Sequence, residues 1–220
     1  NVGFNDDELQ NFFDDVELAE DEYDVDEAIE QMDEPRAKLG EIWQLGDHRL
    51  LVGDSTNPEQ VSKLMNRVKA HFVYLDSPYN IGVSYDKGIS KSKNYGGQHS
   101  SQKDSLSDEV FEQFLDASVA TVVSIAQPNA HFLYWADAKY LGTLQSLYKK
   151  YDITFRRLLL WVKNNQNVTP QVAFNRVHEP AVYGTIGKPH LNKAYKNANE
   201  ILNQDVSSGK MLQLVYDEVV

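Results

Sequence analysis

The 220-residue chain contains no cysteine. That excludes a disulfide framework, a thiolate zinc site and a cysteine nucleophile. Nor is there any run near the roughly 20 apolar residues that a membrane helix needs, or an opening signal of charged, apolar and then small residues. These absences predict a soluble protein working inside the cell. Basic residues are missing from residues 1–34, which hold 15 acidic side chains and no Lys or Arg. The net charge of −12 is therefore a property of that segment: the remainder sets 21 basic against 18 acidic residues, a mildly basic +3. A block of this kind reads as a solvated tail or linker over 1–38. Phe4, Leu9, Phe12, Phe13, Val16 and Leu18 recur within it at roughly helical spacing, as for a segment that docks on a partner or shields the basic body. The chain opens on Asn1 rather than Met, which reads as a fragment of something longer.

What is present from residue 39 onward is one domain, 39–220, with an α/β pattern. The 41% hydrophobic content suffices for one ordinary core. Two short strands are predicted at 41–45 and 49–52 around Gly46-Asp47, then a helix opened by Asn57-Pro58-Glu59 and running to about Val68. A strand follows at 71–75. Residues 81–105 lose periodicity and fill with Gly, Ser, Lys and Asn, which predicts a long loop. Ser107-Asp108-Glu109 caps a helix to about Ile125, with Phe111, Phe114, Leu115, Val119 and Val122 on one face. A strand at 130–135, a helix at 137–150 and a strand at 153–162 complete the alternation, which argues for a mostly parallel sheet covered on both faces by helices.

The chemically telling segment is Val73-Tyr74-Leu75-Asp76-Ser77-Pro78-Tyr79-Asn80. An apolar strand stops at a carboxylate, a proline and an aromatic ring, at the strand end where α/β sheets bind ligands. Such an edge can hold a planar ring and accept hydrogen bonds from its amine. A plain strand-to-turn exit uses the same residues. Gly53-Asp54-Ser55 offers a second strand end, equally readable as a helix-capping turn. Trp161 fits either a pocket wall or the core. His178-Glu179 lacks metal-site spacing and no other cluster completes one, so no metal is expected.

Three segments, GEIWQLGDHRLLVGDST at 40–56, YLDSPYN at 74–80, and LLLWVKNN at 158–165 leading to HEPAVYG at 178–184, occur in an order that resembles the catalytic half of DNA amino-methyltransferases. The likeness is to phage or plasmid modification enzymes in which the catalytic motif precedes the cofactor motif, often downstream of a ParB-like domain. GFNDDEL at 3–9 resembles the connector after that domain. The resemblance implies a partial Rossmann-like methyltransferase fold with an acidic N-terminal tail, acting in a bacterial or phage-infected cytoplasm as part of DNA modification. It implies S-adenosyl-L-methionine as cofactor and double-stranded DNA as partner. Asp76, Ser77, Pro78 and Tyr79 would be catalytic: Asp76 and a carbonyl near Ser77 or Pro78 bind the amine, and Tyr79 stacks on a flipped base. Asp54 and Asp76 would face the cofactor. Asn80, Lys87, Lys91, Lys93, Lys163, Arg176 and His178 would face DNA, and His178-Glu179 would support the site wall. Asp at the first motif position implies adenine N6, with cytosine N4 as the alternative.

Two departures qualify the match. Ser77 stands where the family usually has a second proline, which keeps the carbonyl and gives up the ring that fixes φ. None of the 12 glycines lies in the Phe-x-Gly-x-Gly turn through which such enzymes approach their cofactor. The expectation is therefore a catalytic half, completed by a C-terminal continuation or a separate chain, and inactive alone. A degenerate module that binds DNA or a partner without chemistry is the other reading.

Overall fold

The computed structural model describes residues 37–81, 105–167, 173–174, 176–191 and 199–202. The acidic segment, most of the 81–105 loop and its Lys87, Lys91 and Lys93 lie outside those residues. The described part begins with an antiparallel hairpin, β1 (Ile42–Leu45) and β2 (His48–Leu51). Gly46 takes φ 61° at its turn, a conformation open to glycine without steric cost. Helix α1 (Pro58–Met65) follows as the sequence predicts. Asn57 caps it by accepting from the backbone N–H groups of Glu59 and Gln60, and Pro58 takes the first turn, where its missing N–H costs nothing. Asn66 ends it in the left-handed region, φ 47°.

A five-stranded sheet carries the rest. Its strands are β3 (Ala70–Asp76), β4 (Ala126–Trp135), β5 (Thr154–Asn167), β6 (Arg176–Ile186) and β7 (Ile201–Leu202), in the order β3-β4-β6-β5-β7. β3 lies parallel to β4 and β5 to β7, whereas β6 is antiparallel to both its neighbours. Four strands thus share one direction and β6 alone is reversed. The sheet is mixed, because β5 and β6 are joined closely enough in sequence to form an antiparallel pair, and β6 slots beside β4.

Helices α2 (Asp108–Ile125) and α3 (Leu141–Lys150) pack on one face of this sheet. Phe111, Leu115, Val119 and Val122 of α2, the face read from periodicity, are buried against Val73, Phe132 and Tyr134, together with Leu144 and Tyr148 of α3. Phe114 packs at the margin of that cluster. Alternate residues of the same strands point the other way. Leu133, Trp135 and Ala181 form a second cluster with Phe72, Tyr74, Tyr79, Leu159, Trp161, Tyr183 and Leu202. No residue of the described helices belongs to it, so the expected helical cover on both faces is found on one face only among the described residues. A short 3₁₀ turn, Ala138–Tyr140, precedes α3, so the predicted 137–150 helix is in two parts.

Gly184 on β6 shows how tight the first cluster is. A Cβ there would lie 2.8 Å from Ile153 Cγ2 and from two ring carbons of Tyr148. Gly184→Ala is therefore expected to destabilise the fold by roughly 1–3 kcal/mol through overpacking, read as a lower urea midpoint at unchanged slope.

Candidate functional site

The register places one row of residues across the sheet at the end where β3 and β4 finish. Asp76 pairs with Trp135, Trp135 with Ala181, and Ala181 with Leu159. Two residues further along, on the same face, Trp161 pairs with Glu179. The second, aromatic cluster therefore ends beside the Asp76 carboxylate.

Asp76 is the last residue of β3 and is exposed, yet its carboxyl lies against other groups. Tyr79 Oη donates to Asp76 Oδ1 at 3.3 Å. Burial pushes the Asp76 carboxyl above the usual carboxylate range; the Tyr79 hydrogen bond pulls it back, Glu179 raises it again and Lys163 lowers it. The tyrosines respond to the same field. Burial and the neighbouring Asp76 push Tyr74 up to about 12, and push Tyr79 strongly upward. Both hydroxyls keep their protons at neutral pH, and Tyr79 donates its own to Asp76.

The rings form a wall. Trp135, 2% exposed, lies 6.4 Å from Tyr74 and 6.4 Å from Trp161, centroid to centroid, the latter pair edge to face. Its indole Nε1 is buried without a hydrogen-bond partner; the N–H lies near enough to the Tyr74 hydroxyl to oppose the rise there without completing a bond.

The turn after Asp76 is held from two sides. Ser77 Oγ reaches the Pro78 carbonyl at 3.4 Å, a bond at the outer limit. Asn80, at φ 54°, donates through Nδ2 to Leu106 O at 3.1 Å and Tyr140 Oη at 2.8 Å, and its Oδ1 accepts from Leu106 N at 2.7 Å. Asn80 thus ties the two ends of the 81–105 segment together, and its amide, expected to face DNA, is engaged within the chain. Asn80→Ala removes these three described hydrogen bonds at once. It is expected to cost roughly 1–3 kcal/mol, read as a lower urea midpoint.

Asp54 Oδ1 accepts from Thr56 N at 2.8 Å and Thr56 Oγ1 at 2.7 Å, and Asp54 N donates to Gln60 Oε1 at 2.9 Å. These bonds make it part of the turn that leads into α1, and none reaches the 76–79 turn. Lys163 donates to Glu179 and sits over the Trp161 ring, 4.5 Å from its centroid. Arg176 donates to Asp137, which also caps the 3₁₀ turn through Lys139 N at 3.0 Å. Both cations are thereby paired inside the chain. His178 is half-buried on β6 opposite Val162. Tyr74 and Trp135 carry one sequence signal only, alternation with the strand residues that face the helices.

The arrangement can do one thing plainly: present a carboxylate acceptor beside an aromatic wall to a flat ligand bearing an amine. No family model matches this chain. No curated protein matches it. Among solved structures it is similar to M1.HpyAVI, with 12% identity, a TM-score of 0.49, and coverage of 76% of this chain and 71% of that one. It is also similar to the M1.HpyAVI-SAM complex, with 11% identity, a TM-score of 0.47, and coverage of 76% and 72%.

Proposed function

We propose that this chain is the catalytic portion of a DNA amino-methyltransferase acting on N6 of adenine, in a base turned out of double-stranded DNA. The observation that supports it is the end of β3. There Asp76 and its Tyr79 partner stand at a strand terminus beside an aromatic wall. The exocyclic amine is a weak nucleophile because its lone pair is delocalised into the ring. Asp76 accepts one amine hydrogen and a main-chain carbonyl at Ser77 or Pro78 accepts the other, which favours a pyramidal nitrogen with its lone pair directed away from both. Tyr79 stacks on the extruded base, an interaction of roughly 1–3 kcal/mol by analogy with single-strand platforms. The surplus proton leaves along the Asp76 hydrogen bond to solvent.

S-adenosylmethionine would supply an electrophilic methyl group on a sulfonium. The residues present fit that charged end: electron-rich rings and two carboxylates against one ammonium. They do not include a glycine cradle for its nucleoside, which a second segment or chain would provide. The paired Lys163 and Arg176 build the site wall in this reading, and DNA phosphates are met by other cations. Cytosine N4 has the same amine chemistry and is the second reading.

Calorimetric titration of S-adenosylmethionine tests the proposal, first on this chain and then on the full gene product that contains it. Binding by the full product, weak or absent in the 220 residues, is expected. Absence of binding in both would leave a DNA- or partner-binding module and overturn the enzymatic reading.

A further inference from the structure

Lys163 and Glu179 face each other across β5 and β6 at the strand end that carries Asp76. Their side chains are 32% and 26% exposed, so the pair is largely withdrawn from water. Glu179 holds the ammonium on one side and the Trp161 face holds it on another. A partly desolvated lysine fixed by a carboxylate and a ring has little freedom to swing. The register sets Asp76, Trp135 and Ala181 on one face of the sheet, with Glu179 two residues beyond Ala181 on that face. The charged and titratable groups that act on the Asp76 carboxyl are Tyr79 from the turn, Tyr74 from its own strand, Glu179 from β6 and Lys163 from β5, while β4 contributes the uncharged Trp135.

We propose that Lys163 and Glu179 are positioning residues for Asp76: Glu179 tethers the ammonium over Trp161, on the face and at the strand end that carry Asp76, and holds it back from closing onto that carboxylate. The consequence lies in the lone pairs. A lysine paired directly with Asp76 would occupy the acceptor sites that an incoming amine needs, whereas no cation at all would leave two carboxylates facing one another and favour protonation of Asp76. The tether satisfies both demands at once. This deepens the amino-base reading and rests on it for its purpose, although the electrostatics stand without substrate.

The test is a carbon-detected NMR titration of the Asp76 carboxyl in the 220-residue chain. Lys163→Met is expected to move its midpoint up, and Lys163→Arg to return it toward the parent value. Glu179→Gln is expected to move it down, since a like charge is lost and the ammonium is released toward Asp76. Opposite shifts in the two neutralising variants establish the coupling, and equal midpoints in all four proteins overturn it. Near-UV circular dichroism checks each fold, and Lys163→Gln and Glu179→Met serve in place of any variant that fails to fold. Because no cofactor or DNA is involved, failure of the methyltransferase reading would appear as opposite shifts without any methyl transfer by the full gene product.

Discussion

Asp76→Asn is expected to lower the rate of methyl transfer by about 10²–10³-fold, the scale of removing one preorganised group at a reacting centre. The loss should fall on kcat with KM for DNA little changed, because the carboxylate acts on the amine after the base is seated. Asn keeps the size and one carbonyl oxygen, but its NH₂ turns a donor toward an amine that is itself a donor. Under the proposed function the parent protein should show a related signature in pH. Protonation would turn one Asp76 oxygen into a donor facing an amine that is itself a donor, and burial raises the carboxyl above the usual carboxylate range. Activity is then full above that raised value and lost as pH falls through it, at a higher pH than an ordinary aspartate would give. Tyr79→Phe removes the hydrogen bond that opposes the rise, so the acid limb should move to still higher pH. A limb that stays fixed in Tyr79→Phe would show that Asp76 does not set it.

The second large effect is on stability. Trp135→Ala should cost roughly 3–5 kcal/mol, the range for emptying the space of a large buried aromatic. Trp135 sits at the centre of the second cluster against Tyr74, Trp161 and Ala181, and its register partner is Asp76 itself. The same substitution therefore strips the wall from the site. Trp135→Phe should be far milder: it keeps a ring in place and removes a buried N–H that has no partner, so the lost volume is partly offset by the lost desolvation penalty. Urea titrations of the three proteins measure both effects. Equal losses for Ala and Phe would mean that the indole N–H does have a partner worth as much as the packing.

Much of this was readable in the sequence because local rules fixed it. Asn57-Pro58 marks the start of α1 by capping chemistry alone, and the 3.6-residue recurrence of Phe111, Leu115, Val119 and Val122 marks the buried face of α2. The end of β3 at Asp76 followed from an apolar run that stops. The parts that resisted are set by partners distant in sequence. The reversal of β6 between β4 and β5 depends on which edges meet, and neither strand's composition states it. Strand β4 starts at Ala126 rather than 130 because it follows directly on α2, through a stretch that includes Pro128 and carries no β signal of its own. Lys163 and Arg176 look like free cations in a list of residues, yet Glu179 and Asp137, 16 and 39 positions away, take them up. Asp54 is spent in the turn that its Ser-Thr and Asn-Pro neighbours already suggested.

The measurement that bears most directly on the site is nucleoside analysis of unmethylated genomic DNA, which offers every short recognition sequence. It would be incubated with labelled S-adenosylmethionine and the full gene product, parent and Asp76→Asn in parallel. Labelled N6-methyladenine from the parent and its near-absence from the variant is the expected result, and N4-methylcytosine in its place would move the substrate to cytosine while keeping the role of Asp76. Equal labelling by parent and variant, or labelled DNA bases in neither despite cofactor binding, would contradict a site built on Asp76 and Tyr79.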